Sequence, residues 1–252
     1  MNKTLSAALL ALMFASAPAW ADSCDRLPSS AELQLPLRTV VNIGGAPNGG
    51  LGFPMWLTLV DASGRVCAVV NSLVGGDVTS DIWLGSRVIS AQKANTANAF
   101  STGALSLSTA NLYSAVQPGG SLFGLQESNP VDATIAYAGN ANQFGMPNDP
   151  LVGKRIGGIN VFGGGLTLYR NGKKVGAIGV SGDTSCTDHV VAYKVRGLLG
   201  LGAVPTFASF DKMLQDITPN PAGGTGISAS GFGHPACLNN PTASNDGGSI
   251  VR

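Results

Sequence analysis

Gly153–Asp188 reads GKRIGGINVFGGGLTLYRNGKKVGAIGVSGDTSCTD, and its middle is a hairpin. Leu166 and Leu168 lead into Asn171-Gly172, and Val175, Ile178 and Val180 follow. Asn-Gly accepts the positive φ pair of a type I′ turn, whose twist returns a strand antiparallel to its partner. Gly157, Gly158, Gly163, Gly164 and Gly165 before the turn, with Gly176 and Gly179 after it, strip side chains from one surface. Such a backbone suits a bulge, close packing of another element, or close approach of a flat ligand. The stretch is expected to form the centre of an antiparallel sheet.

Met55–Asn71 repeats the pattern, with Asp61-Ala62-Ser63-Gly64 as the turn. Leu57-Thr58-Leu59 echoes Leu166-Thr167-Leu168, and Val66-Cys67-Ala68 echoes Val175-Gly176-Ala177. The two hairpins read as two halves of one sheet, or as unrelated hydrophobic hairpins. Asp81–Ser101 is the best helix, with Ile89, Lys93, Ala94, Ala97 and Phe100 on one mostly small face. Ser106–Val116 reads as a shorter helix ending at Pro118-Gly119-Gly120. Ser185 with Asp188 reads as a capping box for a helix running to about Leu199, with Val191, Ala192, Val195, Leu198 and Leu199 inward. Ser30 caps a helix over 31–41 that Pro36 interrupts, and a short helix is expected near Phe210–Ile217. Ser121–Pro150 is aromatic, polar and without period, which in a compact domain points to function or interaction.

The first residues read as a secretory signal: Lys3, an apolar run over Ala7–Ser16, and the cleavage pattern Ala19-Trp20-Ala21. That run is too short to span a membrane, so the expectation is a periplasmic or secreted product without a membrane anchor. The division expected is 1–21 signal, 22–54 N-terminal segment, 55–200 domain and 201–252 extension. With 15 basic and 14 acidic side chains, nothing argues for nucleic acid or anionic lipid as a partner. The 35 glycines and 14 prolines sit between apolar runs, so the chain should still fold around a core. In an oxidising compartment Cys24, Cys67, Cys186 and Cys237 are expected as disulfides, paired Cys24–Cys67 and Cys186–Cys237.

The only histidines, His189 and His234, each stand three residues from a cysteine, in Cys186-Thr187-Asp188-His189 and His234-Pro235-Ala236-Cys237. A Cys₂His₂ zinc site, for which neither half has the usual Cys-x-x-Cys spacing, is disfavoured against a Cys186–Cys237 disulfide because the compartment is oxidising. The imidazoles then either ligate a cofactor iron or a metal, or only hydrogen-bond nearby backbone. Covalent haem is excluded, since no Cys-x-x-Cys-His occurs. Ser181 lies in Val-Ser-Gly and not in a nucleophile elbow, which argues against a Ser-His-Asp hydrolase. Gly163-Gly164-Gly165 lacks the Gly-Lys-Ser/Thr of a phosphate loop and reads as a strand with a bulge. Asp61, Lys93, Arg155 and Asp183 are charges set in apolar or glycine-rich elements. Lys93 either pairs with a carboxylate, meets an anion such as a propionate at a pocket mouth, or lays its stem along the helix with its head in water.

Val60-Asp61-Ala62-Ser63-Gly64-Arg65-Val66, the Ala91–Phe100 helix, and Gly157-Gly158 leading to Val175-Gly176-Ala177-Ile178-Gly179-Val180-Ser181-Gly182 resemble the GlcG/HbpS-type haem-binding family, which includes the C-terminal domain of PduO-type proteins. The resemblance spans roughly Met55–Leu199. It implies an α/β (α+β) fold, a profilin-like antiparallel sheet flanked by helices, often assembled into homo-oligomers. It also implies haem as ligand, with haem degradation or redox sensing in some members. No axial ligand carries over from a shared motif, so the cofactor-binding candidates are this chain's own His189, His234, Lys93 and Arg155. Departures are Pro36 in the N-terminal helix, an enlarged 119–150 loop and a long tail beyond Leu199. Non-covalent haem, or another small planar ligand, is the first functional reading. An enzyme on a small metabolite, using Asp61, Lys93 and Arg155, is the second. A partner module for an exported sensor or dehydrogenase is the third.

Overall fold

The computed structural model describes residues 24–42, 48–205, 208–236, 239, 241–242 and 246–252; the signal segment and Cys237 lie outside these. In chain order the elements are α1 (Ser30–Asn42), β1 (Trp56–Asp61), β2 (Val66–Asn71), α2 (Gly85–Ala99), α3 (Ala133–Ala136), β3 (Gly165–Arg170), β4 (Lys173–Ser181) and α4 (Ser185–Leu198), followed by β5 (Met213–Leu214), β6 (Ile217–Thr218), β7 (Ile227–Ser228) and β8 (Ile250–Val251).

Both expected hairpins form, and Asn171 and Gly172 take φ of 51° and 72° as the type I′ turn requires. They join through β1 and β4 into one antiparallel sheet of order β2-β1-β4-β3, so the two hairpins are indeed two halves of one sheet. Of the quoted stretch, β4 is central and β3 is an edge. Alternation sorts the two faces. Leu57, Leu59, Leu166, Leu168, Ile178 and Val180 pack with Leu33 and Leu37 of α1 and Val191 and Val195 of α4. Trp56, Val60, Val69 and Ala177 pack with Val88, Ala91, Ala94 and Ala97 of α2. The result is a sheet between two helical layers.

On the α2 face the strands carry glycine where the helix crosses. Gly165 and Gly179 are register partners. A Cβ on Gly179 would stand 1.9 Å from the Ser90 carbonyl oxygen and 2.5 Å from the Ala94 nitrogen, and one on Gly165 would stand 2.5 Å from the Lys93 carbonyl oxygen. The bare surface is therefore occupied by helix backbone, not left open for a flat ligand.

The flanking segments correct several sequence expectations. α1 runs through Pro36 without a break, because Leu33, Leu37 and Val40 bury one face of it. Ser29 and Glu32, rather than Ser30, form its capping box: Ser29 N–H donates to Glu32 at 2.8 Å, and Ser29 Oγ accepts from Glu32 N–H at 3.4 Å. Thr184, rather than Ser185, caps α4, accepting from Thr187 N–H. Leu198 is exposed at the end of that helix. Where a helix was read over 106–116 there are two 3-10 turns, Thr109–Leu112 and Ser114–Val116, tied to the tail by Asn111 and Ser114. Near 210–217 there is a 3-10 turn and then short strands.

Two buried ion pairs fasten the long segments. Asp149 meets Arg87 of α2 at 2.9 Å and anchors the irregular 121–150 stretch, and Asp211 meets Arg196 of α4 at 2.7 Å and anchors the tail. The Cys24–Cys67 disulfide ties the chain ahead of α1 to β2, as expected.

Gly179→Ala should lower stability by about 2–3 kcal/mol or more, because backbone on both sides blocks relief of the clash. Gly197→Ala, in α4 with nothing within 4 Å of its added Cβ, should be neutral or raise it by up to about 1 kcal/mol. Urea unfolding of the two variants checks the contrast.

Candidate functional site

Close seating of α2 brings the stem of Lys93 across the sheet to the end of β4. There Lys93 Nζ donates to the Val180 carbonyl at 3.0 Å and to Asp188 Oδ2 at 2.7 Å. Asp188 sits in the first turn of α4, where the helix dipole favours an anion, and its other oxygen accepts from Asp183 N–H at 3.0 Å. Both side chains are buried. Of the three sequence readings of Lys93, the carboxylate pair is the one that forms; its head is not in water. Burial pushes the Asp188 carboxyl up to about 6, only partly opposed by the Lys93 ammonium. Burial likewise lowers Lys93, opposed by Asp188. For both partners burial is the largest influence and the opposite charge acts against it.

The pair forms the inner end of a pocket of about 280 Å³ between α2 and the start of α4. Ser86, Ser181 and Ser185 bring hydroxyls to it, Asp183 a second carboxylate, and Trp83, Ile89 and Phe162 the apolar part of its lining. Trp83 and Phe162 are 51% and 48% exposed, so both rings are open to solvent beside the cleft. The rim is held from behind. Asp183 accepts from the backbone N–H groups of Leu51 and Phe53, at 2.9 and 3.1 Å, and the Phe53 ring lies 4.8 Å from that of Trp83.

Both histidines lie near this pocket but do not line it. His189 is fully buried; its Nε2 lies 3.0 Å from the Ser249 carbonyl and 3.3 Å from the Met213 backbone nitrogen, while Nδ1 lies 3.1 Å from Ser108 Oγ. Burial holds its pKa down to about 4. His234 Nδ1 lies 2.7 Å from the Pro235 carbonyl and Nε2 2.8 Å from Ser185 Oγ. Cys186 is disulfide-bonded, which removes its thiolate from any Cys₂His₂ zinc set; Cys237, its expected partner, lies outside the described residues.

Arg155 is exposed, and its Nε donates to the Ser63 carbonyl at 3.0 Å. Asp61 accepts from Ser63 and Arg65 in the β1–β2 turn, with the hydroxyl of Ser63 at 2.7 Å. Val180 is paired with Leu57, four residues before Asp61 along β1, so Lys93 Nζ stands roughly 13 Å from that turn at the usual strand rise. The structure thus gathers Lys93, His189 and His234 around the start of α4 and leaves Arg155 and Asp61 at the other end of the sheet. Trp83, Phe162, Ser185 and the pairing role of Asp188 were missed in the sequence. Only Asp188 had a usable signal, since a lysine on the inner face of a helix demands a carboxylate.

The chain is similar to several known proteins. A family model described as Haem degrading protein HbpS-like matches residues 46–196. An uncharacterized 15.0 kDa protein from the dhaT-dhaS intergenic region of Citrobacter freundii is 35% identical over 142 residues, 56% of this chain and 73% of that one. Among solved structures, a PduOC:heme complex aligns with 24% identity and a TM-score of 0.45, over 68% of this chain and 92% of the other. The Klebsiella pneumoniae protein ORFY aligns with 23% identity and the same TM-score of 0.45, over 75% and 98%.

Lys93→Met strands the Asp188 carboxylate in the interior. At pH 8 this should cost about 3–5 kcal/mol. A carboxyl whose folded pKa is raised destabilises the fold above that pKa and is relieved as pH falls through it, so the cost should shrink clearly at pH 5. Denaturant unfolding at the two pH values measures it.

Proposed function

Because the chain belongs to the HbpS-like family of haem-degrading proteins, we propose that it binds haem non-covalently across the mouth of the Trp83–Phe162 pocket. The carrying observation is that apolar rim: large, half-exposed aromatic side chains at the entrance to a polar cleft suit the face of a tetrapyrrole. At about 280 Å³ the pocket admits an edge of such a ligand, and the remainder lies over the rim.

The inner wall sets the orientation. Asp183 and Asp188 face a single cation, Lys93, already spent on Asp188, so a propionate turned inward meets net negative charge. Bound haem would therefore keep its propionates away from this wall. No imidazole lines the pocket; ligation by His234 would first break its bond to Ser185, and ligation by His189 its bonds to Ser108 and Ser249. The residues fit the porphyrin plane better than they fit an axial histidine. Bound haem would supply a redox-active iron, while Trp83, Ile89 and Phe162 hold the ring and shield its inner face, and Lys93–Asp188 holds a proton beside it.

Export to an oxidising compartment is part of this proposal, supported by the amino-terminal signal pattern and by the disulfide bonding of Cys24, Cys67 and Cys186.

Hemin added to the purified protein should give a saturable Soret shift. Trp83→Ala and Phe162→Ala should each raise Kd about tenfold, the loss of roughly 1.4 kcal/mol of contact. A flat titration defeats the haem reading, and unchanged Kd in both variants moves the haem away from this rim.

A further inference from the structure

The tail brings a second chemical group up to a residue that lines this pocket. His234 Nδ1 faces a carbonyl, and a carbonyl only accepts, so Nδ1 carries the ring proton. Burial lowers the imidazole's pKa from its usual value, so at neutral pH the ring is uncharged and Nε2 presents a lone pair. The partner of that lone pair, 2.8 Å away, is Ser185 Oγ, which must therefore be the donor. Gly163 N–H donates to the same oxygen at 2.7 Å, which fixes the hydroxyl's orientation. Ser185 lines the pocket as the first residue of the 14-residue α4, whose positive dipole end lies at it, and Lys93 lines the same wall.

We infer that Ser185 is a nucleophile and His234 its general base, forming a Ser–His dyad oriented by the Pro235 carbonyl, for acyl transfer from small uncharged esters. The arrangement has what nucleophilic catalysis needs: hydroxyl and base within hydrogen-bond reach, the base oriented by a third group, and a cavity beside the nucleophile. Ser185 Oγ bonds to the ester carbonyl carbon as its proton passes to His234 Nε2. The carbon–oxygen bond to the leaving alcohol then breaks as Nε2 returns that proton to it. Water attacks the acyl-serine by the same route, releasing the acid and restoring the hydroxyl. Substrate class follows from the lining: Trp83, Ile89 and Phe162 suit an apolar or aromatic acyl group, and Asp183 with Asp188 repels a carboxylate.

The test uses haem-free protein lacking only residues 1–21, so its outcome is independent of haem binding. A fluorophosphonate probe is added and the product is read by intact mass and peptide mapping. One adduct on Ser185 is expected, absent in Ser185→Ala and formed at least a hundredfold more slowly in His234→Gln, with circular dichroism showing that both variants fold. p-Nitrophenyl butyrate should turn over with the same ranking. No adduct on the folded wild-type chain, an adduct elsewhere, or wild-type labelling speed in folded His234→Gln overturns the inference. Should His234→Gln not fold, wild-type labelling against Ser185→Ala decides alone.

Discussion

Everything at the candidate site depends on how near α2 lies to the sheet. Ordinary side chains on β3 and β4 would hold the helix several ångströms further away, and Gly165 and Gly179 remove that spacer. With helix backbone almost touching strand backbone, the stem of Lys93 reaches past the sheet to the Val180 carbonyl and to Asp188 on the element that follows β4. A buried ammonium is tolerated only with such a partner, so the glycines and the ion pair are one device. A glycine-bare strand without the helix would expose backbone; a lysine without the close contact would stay in water.

The same logic recurs at the periphery, where the chain departs most from a minimal sheet and helices. Arg87 with Asp149 and Arg196 with Asp211 each pin a long irregular segment to a helix of the core. Neither pair is a net source of stability comparable to apolar burial. Their effect is placement. One holds the 121–150 stretch against α2 near the pocket, and the other carries the tail past α4 until His234 arrives behind Ser185. The Asp183 contacts to residues 51 and 53 do likewise for the rim, since Phe53 backs Trp83. A site assembled from α2, the start of α4, a preceding loop and the tail is held by such ion pairs and side-chain-to-backbone bonds.

The sheet was legible because Asn171-Gly172 and the alternating apolar residues encode turn and pairing locally. Lys93 was legible as an anomaly, and the fate of its head group was not, because Asp188 lies 95 residues away. The glycines left three readings open, bulge, packed element or flat ligand, and only three-dimensional contact showed that helix backbone packs on Gly165 and Gly179. Ser185 was legible only as a cap and His234 only as a candidate ligand; their contact with each other was out of reach, because it is made by a tail without period. Local propensity also misjudged Pro36, whose helix survives through its buried face, and the 106–116 stretch, which the tail holds in 3-10 turns.

The account's central claim is that the Lys93–Asp188 pair is truly withdrawn from water by the close-packed α2. Carbon-13 NMR of the Asp188 side-chain carboxyl, followed through a pH titration of the folded protein, tests it most directly. A midpoint near 6 is what burial beneath α2 requires. A midpoint at or below the ordinary aspartate value of 3.8 would mean that burial does not dominate the carboxyl's surroundings and would contradict the proposed architecture of the site.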